Sequence, residues 1–137
     1  MTTQKERRIH LIQSLLQEQS RYRNIAIPAS ETEQRNLLRS LMNVRPPMPI
    51  SEDYLTVQDE YLQAETAAKG ITDIADLTTI EPSIYLWQGD ITTLRCGAIV
   101  NAANSGMTGC YVPCTGALIM PFTLMPGCSF GLNVQGR

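Results

Sequence analysis

The chain has 137 residues, 43% of them hydrophobic and 18% charged, a composition typical of one globular domain and not of a disordered segment. Its formal net charge of −2 argues against general affinity for nucleic acid or an anionic membrane, and no apolar run reaches the roughly 18 residues of a transmembrane helix. No signal-peptide stretch follows Met1, so we expect a cytoplasmic protein whose four cysteines are free thiols or metal ligands.

Two amphipathic helices are predicted in the first part of the chain. Apolar side chains recur at helical spacing over about residues 4–19, which predicts the first helix. Ser30 and Glu33 have the spacing of a capping box, and leucines at helical spacing continue a second helix from there to about Val44. Three prolines follow within five residues and end that helix.

A third helix is predicted to begin after Ser51, which serves as its N-cap. Its apolar stripe consists of Tyr54, Val57 and Tyr61. Gly70 is expected to end this helical region, and residues 73–77 are predicted to form one further turn.

Beyond this turn the pattern becomes that of β-strands. Residues 84–87 form a short apolar run that ends at Gly89 and Asp90, and residues 98–100 form a second run that ends at residues 101–104. Open α/β sheets bind their ligands at such strand ends, so the two segments predict one ligand crevice. The aromatic side chains Tyr85 and Trp87 are expected to lie in the core.

The residues at these strand ends have useful chemistry. Gly89 permits close approach of a ligand to the backbone, Asp90 accepts hydrogen bonds, and Asn101 and Asn104 can both donate and accept. Each motif taken alone is more often a structural turn, because aspartate and asparagine stabilise turns through their own backbone. The two motifs gain meaning only in combination with the segments around them.

In combination, these segments resemble a macrodomain, the α/β module that binds ADP-ribose. The motifs that carry the resemblance are Gly89-Asp90-Ile91-Thr92 and Val100-Asn101-Ala102-Ala103-Asn104. Further segments are similar to the bacterial zinc-dependent branch, whose members have a helical N-terminal extension and are protein-ADP-ribose hydrolases. These segments are Arg39 to Arg45, Ile50 to Leu55, Met107 to Cys110, and Pro113-Cys114.

The resemblance implies an α/β fold class with the start of a three-layer α/β/α, macrodomain-like sheet. On this basis residues 1–80 are a helical N-terminal extension, residues 81–114 are the first part of a macrodomain, and residues 115–137 are a tail outside the family pattern. The sheet is expected to be incomplete.

The resemblance also implies roles for individual residues at the two ends of the ligand. Asp90 would accept a hydrogen bond from the adenine amino group, and Ile91 would contact adenine through its backbone, with Gly89 beside them. Asn104 would be catalytic at the distal ribose, where Asn101 and Ala102 complete the turn.

The same family pattern implies a metal and partners. Cys110 and Cys114 would bind Zn²⁺, which would act as a Lewis acid, although zinc sites use at least three protein ligands. The expected partners are ADP-ribose or an ADP-ribosylated protein and a sirtuin-type ADP-ribosyltransferase, with no nucleic acid and no membrane.

The segment after Cys114 departs from the family pattern. From Thr115 to Gly136 the chain carries no charged residue, and the histidine and cysteine that follow Pro-Cys in the zinc branch are absent from their places. A family-like continuation that begins Cys-His-Arg-Cys-Ile-Asp can be encoded so that removing one base after the first codon gives all of Thr115 to Gly136. We therefore hypothesise a frame slip immediately after Cys114, in the gene or in its recorded sequence.

The resemblance and the departure after Cys114 together leave three alternatives. The chain is an impaired zinc-dependent protein-ADP-ribose hydrolase, a module that binds ADP-ribose without hydrolysing its linkage to protein, or a non-functional product of the frame slip.

Sequencing the genomic DNA across codons 110–120 tests the frame slip. We expect a family-like reading frame to continue there one base out of register, because a lost base shifts every later codon. An uninterrupted frame with no family-like translation beside it would contradict the hypothesis.

Overall fold

The computed structural model describes residues 3–98 and residue 100, and this part of the chain has mixed α/β structure, as predicted. Three α-helices come first: α1 (Gln4–Glu18), α2 (Glu31–Val44) and α3 (Glu52–Lys69). Four short strands follow: β1 (Thr72–Asp73), β2 (Thr79–Glu81), β3 (Ile84–Tyr85) and β4 (Leu94–Arg95). Short 3₁₀ turns occupy Ser20–Tyr22, Ile74–Asp76 and Ile91–Thr93. The three predicted helices and the predicted turn near residue 75 are confirmed.

Side-chain caps explain where α1 and α3 begin. The Thr3 hydroxyl accepts a hydrogen bond from the Glu6 backbone N–H at 3.2 Å, and the Glu6 carboxylate accepts one from the Thr3 backbone N–H at 3.1 Å. This reciprocal pair is a capping box. Ser51 caps α3, as predicted, because its hydroxyl accepts from the backbone N–H of Tyr54 at 3.2 Å. Gly70 ends α3 at a φ of 87°, a conformation that glycine adopts at little cost.

The capping box predicted at Ser30 and Glu33 is wrong. The Ser30 side chain makes no capping hydrogen bond, although α2 does begin directly after it. Gln34 anchors this end of α2 instead: its amide donates to the Pro28 carbonyl at 2.7 Å and its amide oxygen accepts from Arg8 at 3.0 Å. These two bonds hold the start of α2 in place, although neither satisfies a backbone N–H of its first turn as a cap would.

The core of the described chain is formed by the three helices. Its buried apolar side chains are Leu11, Ile12, Leu15, Leu16, Leu38, Leu41, Tyr54 and Tyr61. Tyr54 and Tyr61 belong to the predicted stripe of α3, and Val57 between them is half-buried against the same cluster. Arg8 is also buried, at 2% exposure, and its guanidinium contacts Gln34 and Glu31.

The strands of the described residues form two small, incomplete sheets. β1 pairs with β4 in parallel, with Thr72 opposite Leu94, and β2 pairs with β3 as an antiparallel hairpin. Ser83 occupies the hairpin turn at a φ of 64°. No helix among the described residues is long and apolar enough to cross a membrane.

Two expectations about the strand region are corrected. The predicted strand over residues 84–87 is limited to Ile84–Tyr85, and Tyr85 is 38% exposed, so it is not a core residue. Its hairpin has no covering layer among the described residues, which leaves Ile80 exposed as well. Trp87 is half-buried. Of the second predicted strand, Ala98 and Val100 lie outside any strand and Ile99 lies outside the described residues.

Removing the side-chain cap of α1 is expected to destabilise the helical unit more than the same change before α2. Thr3→Ala and Ser51→Ala each remove a capping hydrogen bond and should each lower the free energy of unfolding by about 1 kcal/mol. Ser30→Ala removes no such bond and should cost less than half as much. Urea denaturation followed by far-UV circular dichroism measures this, and equal costs at Thr3 and Ser30 would contradict the assignment.

Candidate functional site

The segment between β3 and β4 folds into a tight turn around Asp90. One oxygen of its carboxylate, Oδ1, accepts from the Thr92 backbone N–H at 3.0 Å and from the Thr92 hydroxyl at 2.7 Å. The Asp90 carbonyl accepts from the backbone N–H of Thr93 at 2.9 Å and from its hydroxyl at 2.7 Å. These bonds fix the start of the 3₁₀ turn Ile91–Thr93 and hold the Asp90 carboxylate in a defined orientation.

The second oxygen of the Asp90 carboxylate contacts helix α3. Its Oδ2 lies 2.8 Å from the Nζ of Lys69, the last residue of that helix. The hydrogen bond from Lys69 contributes most, and those from Thr92 contribute less, to lowering the pKa of Asp90 to about 2. The carboxylate is therefore ionised at neutral pH and acts only as an acceptor. Its side chain is 45% exposed, so a ligand can reach it.

Gly89 lies against the indole ring of Trp87. A Cβ atom at position 89 would overlap ring atoms of Trp87, so only glycine allows the backbone to lie this close to the ring. The requirement is steric, since Gly89 is not among the residues with positive φ. Trp87 and Gly89 together define the path of the chain into Asp90.

The structure brings three of the predicted ligand residues, Gly89, Asp90 and Ile91, into one turn. Ile91 is half-buried, and its carbonyl accepts the Leu94 backbone N–H that closes the 3₁₀ turn. Lys69 was not predicted, because it is 21 residues away from Asp90 and carries no local signal. Thr92 was given no role of its own, although a hydroxyl two residues after an aspartate is a recognisable turn signal.

The remaining predicted site residues lie outside the described residues, and their roles stay predictions. They are the catalytic Asn104, the ligand residues Asn101 and Ala102, and the zinc ligands Cys110 and Cys114.

Zinc has no support within the part of the chain that the structure describes. No group of three histidine, cysteine, aspartate or glutamate side chains is placed there to hold a metal ion. The thiols of Cys110 and Cys114 supply two ligands, whereas zinc in proteins takes at least three. The donor set therefore does not fit a complete zinc site.

A cavity of about 380 Å³ lies elsewhere, between the starts of α1 and α2. Its lining residues are Gln4, Lys5, Arg8, Ala29, Glu31 and Gln34. None of these is a predicted ligand residue, and the guanidinium of Arg8 is already bonded to Gln34 and Glu31. The turn at Asp90 is the better candidate site because it combines an ionised, accessible carboxylate with a fixed backbone.

Comparison with known proteins identifies bacterial relatives that are protein-ADP-ribose hydrolases. The chain is 56% identical over 116 residues to a protein-ADP-ribose hydrolase of Treponema medium, a match that covers 82% of this chain and 44% of the relative. It is 41% identical over 111 residues to the protein-ADP-ribose hydrolase of Staphylococcus aureus strain MRSA252, which covers 80% of this chain and 41% of the relative. No family model matches the chain.

A fungal protein also matches part of the chain. It is a probable bifunctional ADP-ribose hydrolase/ADP-ribosyltransferase of Fusarium oxysporum f. sp. cubense, 41% identical over 88 residues, or 56% of this chain and 15% of the relative. The two bacterial matches confirm the resemblance to bacterial protein-ADP-ribose hydrolases over most of the chain. The chain spans less than half the length of these bacterial relatives.

A methyl group at position 89 is expected to disturb the turn. Gly89→Ala forces Trp87 or the backbone to move, and such overpacking should cost about 1–3 kcal/mol of unfolding free energy. Gly97→Ala is the matched control, because no atom of the described residues beyond its chain neighbours lies within 4 Å of a Cβ at that position. Trp87 is the single tryptophan, so its fluorescence emission reports on the turn directly. Identical emission and stability in both variants would show that Gly89 does not pack on Trp87.

Proposed function

We propose that this chain, a relative of the bacterial protein-ADP-ribose hydrolases over about four fifths of its length, acts in the removal of ADP-ribose from modified protein side chains. We further propose that its strands belong to the start of a macrodomain-like, three-layer α/β/α sheet. The described residues supply the end of the site that holds the adenine base.

The observation that carries the proposal is the state of Asp90. Its carboxylate is ionised, nearly half exposed and held by Thr92 and Lys69, so it presents a fixed acceptor to a ligand. The amino group of adenine is a donor and pairs with such an acceptor, whereas a base with a carbonyl oxygen in that place does not. Hydrogen bonds to charged groups are among the stronger polar contacts in proteins, so Asp90 can decide affinity. Ile91 adjoins it and would contact the ring through its backbone.

The reactive end of the ligand is assigned to residues 101–114. Hydrolysis adds water across the bond between the distal ribose and the side chain: the water oxygen bonds to the ribose carbon, and the side chain leaves with a proton. Asn104 is proposed to act there, with Asn101 and Ala102 shaping the turn. Cys110 and Cys114 are proposed zinc ligands, but two thiols do not complete a zinc site, so no part of the hydrolysis is assigned to the metal.

The proposed partners follow from the substrate. An ADP-ribosylated protein is the substrate, ADP-ribose is the product, and a sirtuin-type ADP-ribosyltransferase would produce the modified protein. We place these reactions in the cytoplasm.

A second candidate function is binding of ADP-ribose without hydrolysis. It is favoured by the incomplete zinc donor set, because Cys110 and Cys114 do not complete a metal site and the described residues hold no cluster that could. The Asp90 turn does not depend on the metal, so binding at the adenine end can persist where hydrolysis does not.

Replacing Asp90 should weaken ADP-ribose binding about 10- to 100-fold, because the variant loses a hydrogen bond to a charged acceptor. Asp73→Ala is a closely matched control. Asp73 also caps a 3₁₀ turn, accepting from Ala75 at 2.9 Å, and also pairs with a basic side chain, Arg95, at 3.6 Å. Isothermal titration calorimetry with ADP-ribose compares Asp90→Ala, Asp73→Ala and the unaltered chain.

Two further measurements separate the candidate functions. Release of ADP-ribose from an ADP-ribosylated protein, stimulated by added Zn²⁺, supports the hydrolase, whereas binding without release supports the binding module. Absence of ADP-ribose binding by the unaltered, folded chain would overturn both.

A further inference from the structure

We propose that Lys69, at the C-terminal end of helix α3, is a positioning residue that orients the Asp90 carboxylate and so sets the preference of the site for a base that carries an amino group. The inference rests on the proposed function, because it concerns the ligand that Asp90 meets. It gives the helical region a direct part in ligand recognition.

The geometry ties Lys69 to one oxygen of the carboxylate. Its ammonium donates to Asp90 Oδ2 at 2.8 Å, while Thr92 occupies Oδ1 with two hydrogen bonds. The two carboxylate oxygens thus accept hydrogen bonds from different elements, Oδ2 from α3 and Oδ1 from the 3₁₀ turn. Rotation of the Asp90 side chain would break bonds on both sides, so its plane is fixed.

A count of acceptor sites shows what remains for a ligand. An ionised carboxylate offers about four lone-pair sites. Thr92 takes two at Oδ1 and Lys69 takes one at Oδ2, which leaves a site on Oδ2. Because the Asp90 side chain is 45% exposed, this site can face solvent or a ligand. An incoming N–H donor therefore meets Oδ2 in the orientation that Lys69 imposes.

The position of Lys69 is itself well defined. It is the last residue of α3, directly before Gly70, whose backbone N–H donates to the Ala67 carbonyl at 3.1 Å and ends the helix. A lysine in the last turn is favoured by the negative end of the helix dipole. The helix packs on the three-helix core through Tyr54 and Tyr61, so the ammonium is presented from a supported element.

The experiment compares two ligands that differ only at the base. ADP-ribose carries the adenine amino donor, and its hypoxanthine analogue carries a carbonyl acceptor at the same place. Lys69→Met keeps an unbranched side chain with good helix propensity and removes the ammonium. We expect it to weaken ADP-ribose binding about two- to fivefold, the range of an exposed ion pair, and to leave the hypoxanthine analogue nearly unchanged.

Two variants control the comparison. Arg95→Met breaks the other pair between a basic residue and a turn-capping aspartate, Arg95 with Asp73, and should leave the preference between the two ligands unaltered. Lys69→Arg retains the positive charge and should recover most of the preference. If Lys69 served stability alone, Lys69→Met would weaken binding of both ligands equally. The preference between the ligands would then be unchanged, and Lys69→Arg would have no preference to restore.

The contact itself is measured without ligand. Carbon-detected NMR titration should place the pKa of Asp90 at about 2 in the unaltered chain and in Arg95→Met, and closer to its ordinary value of 3.8 in Lys69→Met. Because the folded state lowers this pKa, the stabilisation is complete above about pH 4 and is lost as the pH falls through 2. Lys69→Met should reduce that loss.

The outcomes separate the inference from the proposed function. If Lys69→Met binds ADP-ribose with an unchanged preference over the hypoxanthine analogue, the inference is overturned and the proposed function stands. The same holds if Lys69→Met binds ADP-ribose more tightly, because Lys69 would then compete with the ligand for Asp90. No ADP-ribose binding by the unaltered chain overturns the function and the inference together. The inference is supported if Lys69→Met loses the preference for ADP-ribose over the hypoxanthine analogue while Lys69→Arg and Arg95→Met keep it.

Discussion

All buried apolar side chains in the described part of the chain belong to helices α1, α2 and α3, and the position of the Asp90 turn depends on that unequal distribution. The strand region contributes buried Thr93 but no buried apolar residue of its own, and several of its large apolar side chains are exposed, among them Leu86 at 78%. A segment without a core cannot fix its own position by apolar burial. The turn is therefore held by α3, through Lys69, and by the parallel pairing of β1 with β4.

The helices were predictable because their determinants are local. Apolar spacing, the Ser51 cap and the terminal glycine all act within a few residues, and the structure places α1 to α3 where these signals predict them. Ser30 shows the limit of local reasoning. It precedes a glutamate at the same spacing as Thr3 does, yet its side chain makes no capping bond, and the start of α2 is held by a contact of Gln34 with Arg8, 26 residues away. A tertiary bond to a buried guanidinium is not visible in a four-residue pattern.

The residues of the candidate site likewise differ in whether local sequence signals or tertiary contacts determine their arrangement. Gly89, Asp90 and Ile91 were predicted as ligand residues from the resemblance to the macrodomain family, and the turn that they share follows from a local signal, an aspartate that caps the residues directly after it. Lys69 was missed because its contact with Asp90 depends on where α3 ends relative to the turn. Tyr85 was expected in the core because it belongs to a short apolar strand, but such a strand is buried only when a second layer covers it. Among the described residues no layer does so, and Tyr85 remains 38% exposed.

The proposed function assigns binding and reaction to different parts of the chain. The acceptor at Asp90 depends on Thr92, Lys69 and the helices behind them, all of which precede Cys114. A frame slip after Cys114 would change nothing in those contacts, whereas it would remove whatever strands and ligands the bacterial relatives carry in the rest of their length. The relatives are more than twice as long as the part matched here. Affinity for the adenine end and hydrolysis at the distal ribose are therefore expected to fail independently, since only hydrolysis is assigned to residues 101–114, where Cys110 and Cys114 do not complete a zinc site.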